Sequence, residues 1–228
     1  MEMETQKRVE SVSLASEKPK RRKLTERDLV YMKLPAKFWT ANFDRINEGD
    51  PKDVTSRYVF GLGHKFDPGT IMSKGYSLLL WGDNSRGKTS IAAVILKEAR
   101  RRGFTCLFMF ATDYRKFVIE REMFSDSHTY EQWAREVDML VLDDFSKESG
   151  DEATGGGSER MYDDLLRHRY ANLKPTIITT NGSAQRDIAS RYGQSLVRLM
   201  EDSYVAVKVI GASQREVEQQ KLIEFFKG

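Results

Sequence analysis

The chain has 228 residues, 39% of them hydrophobic, and its 37 Lys and Arg against 34 Asp and Glu leave a formal net charge of +3. That length holds one α/β domain plus a short extension. No apolar run approaches the roughly 20 residues that cross a bilayer, and so balanced a charge does not by itself select nucleic acid as a partner. The single cysteine, Cys106, lies in an apolar segment. It excludes an internal disulfide and a cysteine-based zinc site, and reads as a buried thiol in a reducing compartment. Met1-Glu2-Met3-Glu4 lacks the basic-then-apolar order of a secretory signal, so the expected location is cytoplasmic, with no membrane partner.

Residues 1–30 are polar and charged without sustained periodicity, the pattern of a tail, although Thr25 can cap a short helix ending at Tyr31. Two basic runs stand out: Lys18-Pro19-Lys20-Arg21-Arg22-Lys23, and the group Lys97, Arg100, Arg101 and Arg102. Each reads either as a solvated face or as a phosphate contact to nucleic acid. Leu34 to Phe43 is apolar and aromatic and needs a packing partner. From Tyr76 the punctuation is regular. Strands are predicted at Leu78–Trp81, Cys106–Phe110, Met139–Leu142 and Thr176–Thr180, with an outer strand at Tyr204–Ile210. Helices are predicted at Lys88–Arg101, Asp113–Arg121, Glu159–Asn172, Gln185–Met200 and Ser213–Phe226, with a glycine-rich loop at Ser149–Ser158. This alternation implies parallel βαβ units, and the near-continuous apolar strands imply a sheet covered on both faces.

Between the first strand and the first long helix lies Gly82-Asp83-Asn84-Ser85-Arg86-Gly87-Lys88-Thr89, followed by Ser90. The spacing G-x-x-x-x-G-K-T after a strand and at a helix start is that of a phosphate-binding loop. Glycines allow the backbone N–H groups to curl around a phosphate, and the helix N-terminus adds partial positive charge. Lys88 reads as the bridge between β and γ phosphates and Thr89 as a Mg²⁺ ligand, so ATP and Mg²⁺ are the expected cofactors. Asp143, at the end of an apolar strand, reads as the second Mg²⁺-site residue, and Asp144 as the base for an attacking water. Without the phosphate loop both would read equally as turn acids. Asn181 ends its strand and would face the γ-phosphate if that strand lies between the other two, although Asn181-Gly182 is also a strong turn signal. Arg198, in Leu196-Val197-Arg198-Leu199-Met200, reads as a snorkelling surface residue or as a finger reaching a neighbouring subunit's nucleotide, with Arg191 as the alternative finger. Arg215 is a candidate nucleotide sensor within the same chain.

Together these segments resemble the AAA+ ATPases of the DnaC/DnaI helicase-loader and IstB transposition-helper group, from about Leu34 to the C-terminus. Leu34-Pro35-x-x-Phe38-x-x-Ala41-x-Phe43 resembles the stretch that lines the adenine side. Leu79 to Thr89 resembles Walker A, and Val141-Leu142-Asp143-Asp144 resembles Walker B. Lys174-Pro175-Thr176-Ile177-Ile178-Thr179-Thr180-Asn181 is similar to sensor 1, Ser195–Met200 to the finger helix, and Ile210-Gly211-Ala212-Ser213-x-Arg215 to the closing motif. The resemblance implies a P-loop α/β three-layer sandwich with a five-stranded, mostly parallel sheet. It also implies homo-oligomers with ATP at subunit interfaces, single-stranded DNA as ligand, and a DnaB-like replicative helicase as partner. Residues 1–33 then form a flexible N-terminal segment with a candidate partner-binding helix, and 34–228 the ATPase domain. Ser85 and Arg86 stand where the family carries glycine and a small residue, and Asp144 where it often has Glu, which implies slow hydrolysis stimulated by DNA or partner. Little chain follows Arg215, so no full helical lid is expected.

The first expectation is an ATP-switched helicase loader. The alternatives are a transposition helper polymerising on duplex DNA, a P-loop small-molecule kinase, which the sensor-like strand tip and missing lid disfavour, and a binding module that holds ATP without turnover.

Overall fold

The computed structural model describes residues 22–46, 50–63, 67–120, 125–145, 157–181, 184–211 and 213–227. In chain order the elements are helices α1 (Glu26–Tyr31), α2 (Asp50–Gly61) and α3 (Ile71–Lys74), strand β1 (Ser77–Trp81), α4 (Lys88–Arg101), β2 (Cys106–Phe110), α5 (Ala111–Glu120), α6 (Ser125–Glu136), β3 (Met139–Asp143), α7 (Gly157–Ala171), β4 (Thr176–Thr180), α8 (Ala184–Ser203), β5 (Tyr204–Lys208) and α9 (Gln214–Lys227). All five strands fall where the apolar runs predict them. Helices α2, α3 and α6 have no counterpart in the sequence reading. Each is short or weakly patterned, and tertiary contacts rather than its own periodicity hold it. Most of the predicted glycine-rich loop lies outside the described residues, but Gly157 and Ser158 open α7.

The strands form one parallel sheet in the order β2-β3-β4-β1-β5. Strand β4 therefore lies between β1 and β3, the placement on which the reading of Asn181 depends. Side chains alternate between two cores. Leu78, Leu80, Met139, Val141 and Ile177 meet α4, α2 and the N-terminal segment, while Leu79, Leu140, Leu142 and Ile178 meet residues of α5 to α8. This is a three-layer sandwich, as expected for strands apolar on both faces.

Helix α4 is buried all round. Ile91 to Ala99 is continuously buried, because the sheet covers one side and residues 29–62 cover the other. The basic group at its end is engaged in contacts within the fold. Lys97 is buried and its Nζ donates to the carbonyls of Phe38 (3.4 Å), Trp39 (2.9 Å) and Ala41. Arg100 pairs with Asp28 at 3.0 Å, and Arg101 and Arg102 pair with Glu98 at 3.1 and 3.7 Å. The Leu34–Phe43 segment thus finds its partner on α4.

Within the segment expected to be a flexible tail, Arg22 onward is anchored; residues 1–21, with most of the first basic run, lie outside the described residues. Thr25 and Asp28 close a capping box on α1. Burial opposes ionisation of Asp28, but the Thr25 amide and hydroxyl and the Arg22 and Arg100 guanidiniums outweigh it and hold the carboxyl well below the usual carboxylate range. The Phe108 amide donates to Met32 O at 2.8 Å, so this segment also covers the outer edge of β2.

At the opposite face a second cation is buried. Arg169 of α7 is 1% exposed and donates to Thr176 Oγ1 (2.8 Å) and to the carbonyls of Ala134 (2.9 Å), Arg135 (3.2 Å), Val137 (2.9 Å), Asp138 (3.5 Å) and Pro175 (2.8 Å). One guanidinium thereby ties the C-terminal end of α6 to the starts of β3 and β4.

Candidate active site

The phosphate loop runs from the end of β1 to the start of α4. Gly82 has φ 132°, and a Cβ placed on it would come within 2.8 Å of Val209 O. Gly87, the residue before α4, has φ 95°. Ser85 also adopts a left-handed conformation (φ 62°), in the position where the resembled family carries glycine. A side chain there costs on the order of 1 kcal/mol. Lys88 is buried, its ammonium donating to Gly82 O (2.9 Å) and Asp83 O (2.7 Å). Arg86 donates to Gly211 O and lies 3.8 Å from the largely exposed Asp83 carboxylate. The Val209 amide donates to Trp81 O at 2.7 Å. The chain leaving β5 is therefore laced to the loop at both ends.

Below the loop the sheet brings three oxygen-bearing side chains together. Thr89 Oγ1 donates to Asp143, 2.9 Å from Oδ1 and 3.2 Å from Oδ2, and Thr179 Oγ1 donates to Asp143 Oδ1 at 2.6 Å. Asp143 is 2% exposed. The carboxylate and the Thr89 hydroxyl are hard oxygen donors in contact, the set that Mg²⁺ takes in P-loop proteins. Among the described residues no group of three or more His, Cys, Asp or Glu could hold a metal ion. A cation at this site would thus complete its shell from phosphate and water. Asp144 follows with φ 57°, half-buried, its amide donating to Thr179 Oγ1 at 3.0 Å. Asn181 is half-buried and immediately follows β4.

Neither Arg198 nor Arg215 makes a hydrogen bond or ion pair with this cluster. Arg198 is exposed on α8 between buried Val197 and Leu199, and makes no hydrogen bond or ion pair with the described residues. The side chain of Arg191 lies outside the described residues. Arg215 is exposed in the first turn of α9, four residues after the Gly211 that accepts from Arg86.

Beside the loop is a small open recess lined by Ile46, Pro51, Arg86, Gly87, Ser90, Ile91 and Val209. The Leu34–Phe43 segment, expected on the adenine side, packs onto the core around α4, and from the N-terminal part of the chain Ile46 and Pro51 line this recess. Neither carried a signal in the sequence. Thr179 was also missed as an individual. The one sign of it is a run of hydroxyl residues in an otherwise apolar buried strand.

The fold and this geometry are those of an α/β domain with a phosphate-binding loop at the end of its first strand. No protein-family model matches the chain. It is 24% identical over 225 residues, 95% of its length, to the chromosomal replication initiator protein DnaA of Aquifex aeolicus (strain VF5), and it spans about half (51%) of that curated relative. Among solved structures, the DnaC helicase loader superposes with a TM-score of 0.61 at 22% identity, covering 77% of this chain and 99% of that one. DnaI superposes with a TM-score of 0.65 at 18% identity, covering 82% and 99%. DnaA bound to AMPPCP and single-stranded DNA superposes with a TM-score of 0.60 at 18% identity, covering 82% and 56%. At these identities the likeness establishes the fold.

Proposed function

We propose that the chain is an ATP-driven switch protein of DNA replication, which binds single-stranded DNA and delivers a DnaB-like replicative helicase. The observation that carries the reading is the contact of Thr89, Asp143 and Thr179 beneath a complete phosphate loop, in a domain with the fold of the DnaC helicase loader.

The loop from Gly82 to Gly87, with Ser90 beside it, holds the triphosphate through backbone N–H groups and the N-terminus of α4. Lys88 turns from the carbonyls of Gly82 and Asp83 to the phosphate oxygens. Thr89 and Asp143 are the residues that would hold Mg²⁺, which when bound offsets the charge of the β and γ oxygens. Asp144 accepts the proton of the attacking water, and Asn181 orients that water. Arg198 has no partner among the described residues, which supports its acting on the nucleotide of a neighbouring copy in a homo-oligomer; Arg215 senses nucleotide within its own chain. The strained Ser85 and the short Asp144 side chain favour slow basal hydrolysis, raised by DNA or partner. ATP would then select the oligomer bound to DNA and helicase, and hydrolysis would release it.

Affinity capture in the presence of ATP, comparing wild type with Lys88→Ala, tests the reading. The expected result is a hexameric helicase captured by the wild type alone, together with ATPase activity stimulated by single-stranded DNA. Capture of neither ligand with ATP present would sink it. ATP-dependent filaments on duplex DNA without helicase would select the transposition-helper alternative.

A further inference from the structure

Thr179 is 1% exposed, and its hydroxyl makes two opposed hydrogen bonds. It accepts from the Asp144 amide at 3.0 Å and donates to Asp143 Oδ1 at 2.6 Å. Because the Asp144 N–H can only donate, the single hydroxyl proton is directed to the Asp143 carboxylate. A third tie runs along the backbone, where the Phe145 amide donates to Thr179 O at 2.9 Å. The two consecutive acids are thus held against β4 by one residue.

The pairing shows why such a tie is needed. Strands β3 and β4 are in register at Leu140–Thr176, Val141–Ile177 and Leu142–Ile178. The next position would pair Asp143 with Thr179, but the register with β4 ends at Leu142; Asp143 is still paired with Phe110 of β2, and the chain turns out of the sheet at Asp144, in the left-handed region at φ 57°. A non-glycine residue keeps that conformation only when its surroundings enforce it. The Thr179 hydroxyl and carbonyl, receiving the Asp144 and Phe145 amides, are those surroundings. The hydroxyl's own bond to Oδ1 orients the Asp143 carboxylate towards Thr89, and the two amide bonds fix the direction in which the Asp144 side chain leaves the backbone.

We infer that Thr179 is a positioning residue for ATP hydrolysis, holding Asp143 towards the cation side and Asp144 towards the attacking water through one hydroxyl. This rests on the ATPase reading above. Thr179 touches no reacting atom. It acts through the two acids, so its loss is expected to appear in kcat and in the Mg²⁺ dependence rather than in retention of the nucleotide.

The test compares Thr179→Val, which keeps the shape and removes the hydroxyl, with Thr179→Ser, which keeps the hydroxyl and removes the methyl. Thermal unfolding confirms that both fold, and the fluorescence of Trp81, next to the loop, reads binding of ATP with and without Mg²⁺. Thr179→Val is expected to bind ATP without Mg²⁺ within about threefold of wild type. Its kcat is expected to fall at least tenfold, and the gain in affinity on adding Mg²⁺ to shrink. Thr179→Ser is expected to recover kcat to within about threefold. Wild-type turnover in Thr179→Val would overturn the inference while leaving the ATPase reading intact. So would equal loss in both variants, which would assign the effect to packing of the methyl group. A wild-type protein that neither binds nor hydrolyses ATP would overturn both, and is distinguished from the other outcomes by the wild-type control alone.

Discussion

Single backbone angles govern much of the phosphate loop. Gly82 cannot take a side chain, since a Cβ would lie 2.8 Å from Val209 O at φ 132°. Gly82→Ala is therefore expected to lose about 2 kcal/mol of stability together with ATP binding; urea denaturation and ATP titration measure the two. Ser85 presents the converse case. Its φ of 62° is one that glycine adopts freely, and its position is where the resembled family has glycine. Ser85→Gly relieves the strain while giving the unfolded chain more freedom, so stability should stay within about 1 kcal/mol of wild type. If the strain is what slows turnover, Ser85→Gly hydrolyses ATP faster in a steady-state phosphate-release assay; an unchanged or slower rate would remove strain as the cause.

Among the elements, α4 does the most coupling. Its first residues, Lys88 and Thr89, belong to the site, and its last turns hold the N-terminal segment through Lys97 and Arg100. Lys97→Met would leave up to three carbonyls of residues 38–41 without their donor, at a cost of about 2 kcal/mol. Hydrogen exchange should show faster exchange at residues 34–46 before any change in the sheet. The other end of that attachment depends on pH. Asp28 has its folded pKa held below the ordinary 3.8 by its amide, hydroxyl and guanidinium partners. A depressed carboxylate stabilises the fold fully above the unfolded value, and that stabilisation is lost as pH falls below about 4 through the folded pKa. Asp28→Asn should flatten the dependence of stability on pH in that acid range, which denaturation curves at successive pH values would show. A variant as acid-sensitive as wild type would assign the loss to other carboxylates.

For the whole molecule, Arg169 is the point where helices and sheet are joined. It is a fully buried cation whose acceptors are carbonyls of α6 and of the residues leading into β3 and β4, together with the Thr176 hydroxyl. Burial pushes its guanidinium down to about 10, against the pull of Tyr204, Glu136, Asp138 and Cys106, so it remains charged at neutral pH. Arg169→Met should cost about 3–5 kcal/mol in chemical denaturation, because it strands several buried acceptors at once. Thr176 and Thr179 lie on the same strand, so that loss should reach the site as well as the stability.

Much of this molecule was legible in the residues alone. The five strands, the helix Lys88–Arg101, the phosphate loop and the two acids after β3 are local patterns. An apolar run, a glycine spacing or a cap acts over a few residues and needs no partner to be recognised. The parallel three-layer fold followed from the alternation of those patterns. Only the tertiary structure decided what depends on a distant neighbour. It placed β4 between β1 and β3, which brings Thr179 against Asp143 and sets Asn181 at the end of the strand between them. It turned Lys97 and Arg100 inward, although the same charges on an uncovered α4 would be solvated. It brought Ile46 and Pro51 to the recess beside the phosphate loop. The physical reason is common to all three: a buried hydroxyl, a lysine among carbonyls and a recess wall are each satisfied by groups far away in the chain, and nothing in a residue's own neighbourhood specifies which groups those will be.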